Sequence, residues 1–334
     1  MKLKVAHIYA SNAKNNSGDF MIGLSYKKYF SECVIKKDCS FTDIDCRDSK
    51  KFDDSNIDNL NKYDYILVGG GGLILPDSAP NKISCWQWCI KKDCIMKITK
   101  PIYVLSIGYN LFFNQTMNMP YRNNSNEDKS RMDIFKQNIS TLIDKSEMFT
   151  LRHNQDVESL INIIGEKYRD KIDYEMCSTV WYVGKYWKPN INYNSDKYFA
   201  IEIKDDREWR RYYKIGKNKY YKYLLNIVNT HIKKGEKILY LSHDGSKSFY
   251  IYLRQNNVNI PYLDNSCANE NKILENYSRI HTIYCSAGHS QMISYGLGIK
   301  IISLISHPKL KNFCDDIGDE NGIDINNNIK KLLL

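Results

Sequence analysis

Tyr63-Asp64-Tyr65-Ile66-Leu67-Val68-Gly69-Gly70-Gly71-Gly72-Leu73 is the stretch whose reading decides the fold. The apolar run at 65–68 is short and ends directly in glycine, which marks a buried strand. Consecutive glycines after a strand permit positive φ and let backbone N–H groups approach an anion or a sugar closely. The run is neither G-x-G-x-x-G nor a P-loop, since no Gly-Lys-Ser/Thr follows. Close packing of the turn against a helix is the plain alternative. Four glycines in a row favour a ligand-facing loop.

The same pattern recurs on both sides of this stretch. Residues 4–9, 102–107 and 148–151 read as further strands, and residues 20–30 as a helix after the polar loop 11–19. A second helix follows Arg152-His153-Asn154, with Val157, Leu160, Ile161 and Ile164 on one face. Around residues 184–196 the pattern lapses into Gly, Lys, Trp, Pro and Asn, a crossover between domains. It then restarts with strands at 198–203, 238–241, 280–285 and 299–304. Strands alternating with helices imply an α/β protein with parallel sheets. Two such series imply two Rossmann-like domains facing a central cleft, over residues 1–184 and 197–318, with a helical tail at 319–334. Residues 109–130 lack periodicity and read as a mobile loop near a binding site.

Composition narrows the class. The 334 residues are 43% hydrophobic and 26% charged, enough for packed cores and too apolar for disorder. No apolar run approaches the roughly 20 residues that span a bilayer, and His7 and Ser11-Asn12 interrupt the apolar start, so the expected location is the cytoplasm. The net charge of +10 admits polyanionic partners without choosing among them. No RNA-binding, zinc-finger or heptad signature supports nucleic acid. Cys85, Cys89 and Cys94 fit no zinc or iron–sulfur spacing; interleaved with Trp86 and Trp88, they suggest a partly buried helix with reduced thiols as filler. No metal constellation is expected.

In open α/β sheets, function lies just after the strands. Asp19, in Ser17-Gly18-Asp19, reads first as a helix N-cap. Arg152 follows a strand and precedes a helix that Asn154 could cap; a guanidinium there suits carboxylate or phosphate, or else pairs with a surface acid. His289, in Ala287-Gly288-His289-Ser290, falls at a helix N-terminus, where the dipole disfavours imidazolium and leaves a ring able to exchange protons near neutrality. Ser306-His307-Pro308-Lys309-Leu310-Lys311 puts two cations behind another strand end, to hold a phosphate or to face solvent. Arg207, Arg210 and Arg211, with Trp209, Tyr212 and Tyr213, form either a ligand-binding loop or a solvated helix. His243-Asp244-Gly245 is a further strand-end site or a simple turn.

Taken in order, these motifs resemble the polysaccharide pyruvyl transferase family. The marks are Asn15-Asn16-Ser17-Gly18-Asp19, the strand ending in the glycine run, Ser106-Ile107-Gly108, Leu151-Arg152, and His289 followed by Gly298, a strand, Pro308-Lys309, Phe313 and Gly318. The likeness runs from residue 4 to 318. It implies a GT-B-like fold and transfer of a pyruvyl group from phosphoenolpyruvate to a sugar of a glycan or glycan precursor, with no other cofactor. It further implies His289 as acid/base and Arg152, Lys309, Lys311, Gly288 and Ser290 on the donor. Asp19, Gly18, Gly69, Gly70, Gly71, Gly72 and Gly108 would shape the cleft or touch the acceptor. The acceptor would be free or carrier-linked, with membrane contact at most peripheral, at the inner face. One departure stands out: Ala287 occupies the place of the family's usual Arg two residues before the histidine, so Lys309, Lys311 or another arginine would have to supply that charge. Ala287 also suits two rivals, a nucleotide-sugar glycosyltransferase and a non-catalytic sugar-binding relative.

Overall fold

The computed structural model describes residues 2–12, 15–120, 127–187 and 197–327. The chain divides into two compact units, one of residues 1–13 and 22–178, the other of 14–21 and 179–334. The second unit thus begins at 179, with residues 179–184 in it rather than in the first domain, and it also includes 14–21.

In the first unit the strands are β1 (Leu3–Tyr9), β2 (Cys39–Asp45), β3 (Tyr65–Gly69), β4 (Ile102–Ile107), β5 (Ser146–Leu151) and β6 (Asp173–Tyr174). They form one sheet in the order β2-β1-β3-β4-β5-β6, parallel at every pairing. Helices α1 (Ser17–Tyr29), α2 (Ile57–Leu60), α3 (Lys92–Lys97), α4 (Ser130–Lys145) and α5 (Asn154–Ile164) connect them. Parallel strands covered on both faces need unbroken apolar runs, and Ile66, Leu67 and Val68 of β3 are fully buried. Lys4 N–H donates to Asp64 Oδ2 at 2.7 Å, so the residue before β3 helps align it with β1.

In the second unit helices α6 (Ser178–Tyr186), α7 (Glu208–Arg211), α8 (Lys217–Lys233), α9 (Ser248–Gln255), α10 (Glu270–Ser278), α11 (Gly288–Gly296) and α12 (Pro308–Ile317) accompany a second parallel sheet. Its strands are β7 (Tyr198–Glu202), β8 (Ile238–Ser242), β9 (Tyr262–Asp264), β10 (Ile280–Cys285), β11 (Lys300–Ile305) and β12 (Ile323–Asp324), in the order β12-β11-β10-β7-β8-β9. A core of Phe199, Ile201, Tyr220, Leu224, Tyr240, Phe249 and Leu253 packs one face of β7 and β8 against α8 and α9.

Several expectations need correction. Residues 84–90 form no helix: Cys85 takes a left-handed φ of 67°, and only Lys92–Lys97 is helical. The thiols are buried and free, as expected of filler. The described part of the tail from residue 319 is not helical either; it carries β12, paired with β11. Residues 328–334 of that tail, like 188–196 of the crossover, lie outside the described residues. In the expected mobile loop, Leu111, Phe112 and Met117 are buried, while 121–126 lie outside the described residues.

What replaces the expected helix is a loop held by one cation. Arg131, on α4 and only 2% exposed, donates from Nη1 to the Asn81 carbonyl at 2.7 Å and from Nη2 to those of Cys85 and Pro76 at 3.2 and 3.4 Å. Its Nε reaches the Met117 carbonyl at 3.2 Å. A charged donor satisfying several buried carbonyls does the work that a ladder would do in a helix. Arg131→Met should therefore lower the unfolding free energy by roughly 3 kcal/mol, read from urea denaturation; an unchanged midpoint would remove Arg131 from this role.

Candidate functional site

In the first unit, three neighbouring strand ends bring together the glycine turn, Gly108 and Arg152. Gly70 and Gly71 take φ of +84° and +85°, a backbone that other residues adopt at a cost. A Cβ on Gly69 would lie 2.6 Å from the Leu105 carbonyl, and one on Gly72 would lie 2.5 Å from Asn110 Cγ. Packing thus accounts for part of the run. His7, fully buried, sits 2.9 Å from the Gly69 carbonyl through Nε2. Burial first, against the pull of that carbonyl and of Asp43, lowers its pKa to about 4. The ring is therefore neutral near pH 7, and its Nε2–H donates to the carbonyl.

The next strand carries strain. Ser106 lies within β4 at φ 48°, where the register with β5 shifts between Val104 and Ile107. Irregularities of this kind re-aim the residues that follow. Thr150 Oγ accepts from Ser106 N–H at 2.7 Å and donates to Glu175 Oε2 at 2.9 Å. Beyond the shift, Gly108 N–H donates to the Gly71 carbonyl at 2.8 Å, and a Cβ on Gly108 would fall 2.4 Å from Arg152 Nη2. The guanidinium therefore needs glycine there. Arg152 is 4% exposed; its Nε donates to His153 Nε2 at 3.2 Å, but its Nη2 is buried with no partner. An unpaired buried donor on a cation is costly, and an anionic ligand reaching it would relieve that cost. Asn154 is inside α5 and does not cap it; His153 holds the N-cap position without a capping bond from its side chain.

In the second unit, His289 is the second residue of α11, half-buried. Gly18 packs flush against its ring: a Cβ there would lie 1.8 Å from Nδ1. The Lys309 stem lies alongside, its Cε 3.6 Å from where a Gly288 Cβ would be. The structure thus gathers Gly18, Gly288, His289 and Lys309. Lys311, by contrast, is exposed and paired with Asp315 one turn along α12. Ser290 is fully buried. Asp19 is not the cap of α1, which starts earlier; Asn16 Oδ1 accepts from Gly18 N–H at 3.0 Å, and Asp19 occupies the first turn. There its charge suits the helix dipole. His307 caps α12, accepting from Lys309 N–H at 3.2 Å.

Cations surround these residues. Arg210 and Arg211, expected on a solvated loop or at a ligand, are each 1% exposed. Arg211 pairs with Asp206 at 2.8 Å and donates to Ser306 Oγ at 3.1 Å. Burial would raise the Asp206 pKa, but Arg211, then Lys204, Lys309 and Arg207, hold it well below the usual carboxylate range. Lys204 pairs with Asp244. Sequence reasoning passed over Lys204 and Glu202, whose only signal is polarity at the end of an apolar strand. Glu202 Oε2 accepts from the backbone N–H groups of Ser286 and Ala287 at 3.2 and 3.0 Å, fixing the turn before His289. Burial, opposed by Lys204, pushes its pKa up to about 7. Among the described residues no His, Cys, Asp and Glu cluster has metal-site geometry, and no helix is long and apolar enough to cross a membrane.

Comparison with known proteins bears on this arrangement. The polysaccharide pyruvyl transferase family model matches residues 16–308, a span that includes the glycine turn, Arg152 and His289. The chain belongs to that family. No curated protein matches it in sequence. Among solved structures, the Methanocaldococcus jannaschii UDP-GlcNAc 2-epimerase in complex with UDP-GlcNAc and UDP is similar, at TM-score 0.53 and 13% identity, over 99% of this chain and 92% of that one. The Neisseria meningitidis UDP-GlcNAc 2-epimerase bound to UDP-GlcNAc is similar at TM-score 0.52 and 11% identity, over 99% and 98%. At such identities the likeness shows the fold, which is GT-B-like, with two parallel six-stranded sheets and their helices. In this member of the pyruvyl transferase family Ala287 stands two residues before His289, and Lys309 is a cation beside that turn.

Two outcomes follow from this geometry. Gly18→Ala displaces the His289 ring and should shift its imidazole NMR resonances without unfolding the protein; unmoved resonances would contradict the close packing. Glu202 has a native pKa of about 7 against an ordinary 4.5, so the stability it lends is full below pH 4.5 and is lost as pH rises through 7. Glu202→Gln keeps a carbonyl oxygen for the two N–H groups and removes this dependence. The melting temperature of the wild type relative to this variant should therefore decline between those pH values, and parallel curves in calorimetry would refute the assignment.

Proposed function

We propose that the protein transfers a pyruvyl group from phosphoenolpyruvate to a sugar of a glycan or glycan precursor, as a cyclic ketal. The observation that carries this reading is the family match across residues 16–308. The half-buried His289, with Gly18 against its ring and Lys309 alongside, supplies the chemistry.

Phosphoenolpyruvate carries a carboxylate and a phosphate, so its recognition needs cations or backbone donors. His289 delivers a proton to the methylene carbon, making it a methyl group and leaving cationic character at the adjacent carbon. A sugar hydroxyl attacks that carbon and gives up its proton; phosphate leaves with the former enol oxygen as a second hydroxyl closes the ring. The products are the ketal and inorganic phosphate. An imidazole that alternates between acid and base fits both proton transfers. Lys309 takes a negative group of the donor beside His289, and Arg152 is the anion anchor of the first unit, its unpaired Nη2 being the supporting observation. These cations make a metal unnecessary in the scheme, and the reaction runs in the cytoplasm on a free or carrier-linked acceptor.

Ala287 keeps a second reading in view, a nucleotide-sugar donor. The deciding experiment incubates the protein with phosphoenolpyruvate or nucleotide sugars and a panel of sugar acceptors, following phosphate release and product mass. Ketal formation with phosphate release, insensitive to chelator, is expected; sugar transfer from a nucleotide sugar would overturn the proposal. His289→Ala should lower turnover at least about a hundredfold with the fold intact, and wild-type-like rates would remove His289 from its role.

A further inference from the structure

A chain of buried polar side chains in the second unit ends beside the glycine that packs against His289. Ser17 N–H and Ser17 Oγ–H both donate to the His243 carbonyl, at 3.0 and 3.1 Å. Ser17 Oγ also lies 2.6 Å from His243 Nδ1. A hydroxyl has one proton, and the carbonyl can only accept it, so the Nδ1 proton belongs to His243 and is donated to Ser17 Oγ. Nε2 is then a bare lone pair, and it accepts from the Tyr277 hydroxyl at 2.5 Å. Ser17, His243 and Tyr277 are 1%, 3% and 0% exposed.

Burial first, then the Lys204 charge, lowers the His243 pKa to about 3, so the ring stays neutral. One end of the chain is therefore Ser17, next to the Gly18 that abuts His289. The other is Tyr277.

We propose that Ser17, His243 and Tyr277 are positioning residues that hold Gly18 against His289 and so fix the orientation of its imidazole. The group they position is the acid/base of the function proposed above, and the inference rests on that reading for its consequence in catalysis. A buried network in which every member has a defined donor or acceptor role locks one geometry, and here that geometry is a flush glycine–imidazole contact. Neither His243 nor Tyr277 need touch substrate.

The test has two arms. In ligand-free protein, the His289 Cε1–H resonance, identified by its loss in His289→Gln, is titrated by NMR. Ser17→Ala and Tyr277→Phe should shift that resonance and its titration midpoint, while Ser17→Thr, which keeps the hydroxyl, should restore both. Leu224→Ala, a core substitution that lowers stability without touching the chain, should leave them unmoved. In the second arm, Ser17→Ala and Tyr277→Phe should lower kcat by about tenfold with the KM for phosphoenolpyruvate nearly unchanged. An unmoved His289 resonance in folded Ser17→Ala and Tyr277→Phe, or an equal shift in Leu224→Ala, overturns the inference whatever the enzyme's substrate. Failure of the function reading shows separately, as His289→Gln retaining turnover or as no reaction with phosphoenolpyruvate.

Discussion

Parallel pairing throughout each sheet is the constraint on which the rest depends. It sends every strand's carboxyl end to the same edge, so residues far apart in sequence become neighbours there. In the first unit that edge joins Gly69, Gly108 and Arg152 from adjacent β3, β4 and β5. In the second it joins Lys204 after β7, His243 after β8, His289 after β10 and Lys309 after β11. The same pairing satisfies the backbone and leaves the side chains beyond each strand to meet a ligand or one another. Where they meet one another, they do so as ion pairs such as Lys204–Asp244 and Arg211–Asp206. Where Arg152 meets no one on Nη2, the fold holds a charge whose pairing is incomplete.

The central strands were legible because a buried parallel strand has no polar face to disguise it: 65–68, Ile102–Ile107 and Ile280–Cys285 read directly from apolar runs. β2 was not, since it is an edge strand whose sequence Cys39-Ser40-Phe41-Thr42-Asp43-Ile44-Asp45 is largely polar and half exposed. β6 and β12 span two residues each and are specified by their neighbours alone. The Cys85–Cys94 stretch misled because Trp and Cys at close spacing resemble a helix face. Arg131, some forty positions away, satisfies the carbonyls of that stretch as a loop, and no local pattern announces a distant cation.

The site was legible in part for the same reason. His289, Gly18, Gly108 and Arg152 follow strands or open helices, so position alone singles them out. Their pairing does not follow from position. That Gly18 exists to admit an imidazole, and Gly108 to admit a guanidinium, is a statement about space that only the folded chain makes. Lys311 shows the converse. Two residues from Lys309 on a helix, it points to another side and spends its charge on Asp315.

Burial then decides which titratable groups remain available for chemistry. His7 and His243 are enclosed and neutral, with pKa values lowered to about 4 and about 3; a ring that gains no proton above pH 5 can orient a neighbour but cannot exchange protons with a substrate at neutrality. Glu202, raised to about 7, has the affinity for such an exchange but is enclosed and engaged by two backbone N–H groups. His289 differs from all three in keeping part of its surface open while standing at a helix N-terminus. The enclosed groups therefore serve geometry and the half-open one stays accessible to a ligand, a division imposed by desolvation and not by residue type.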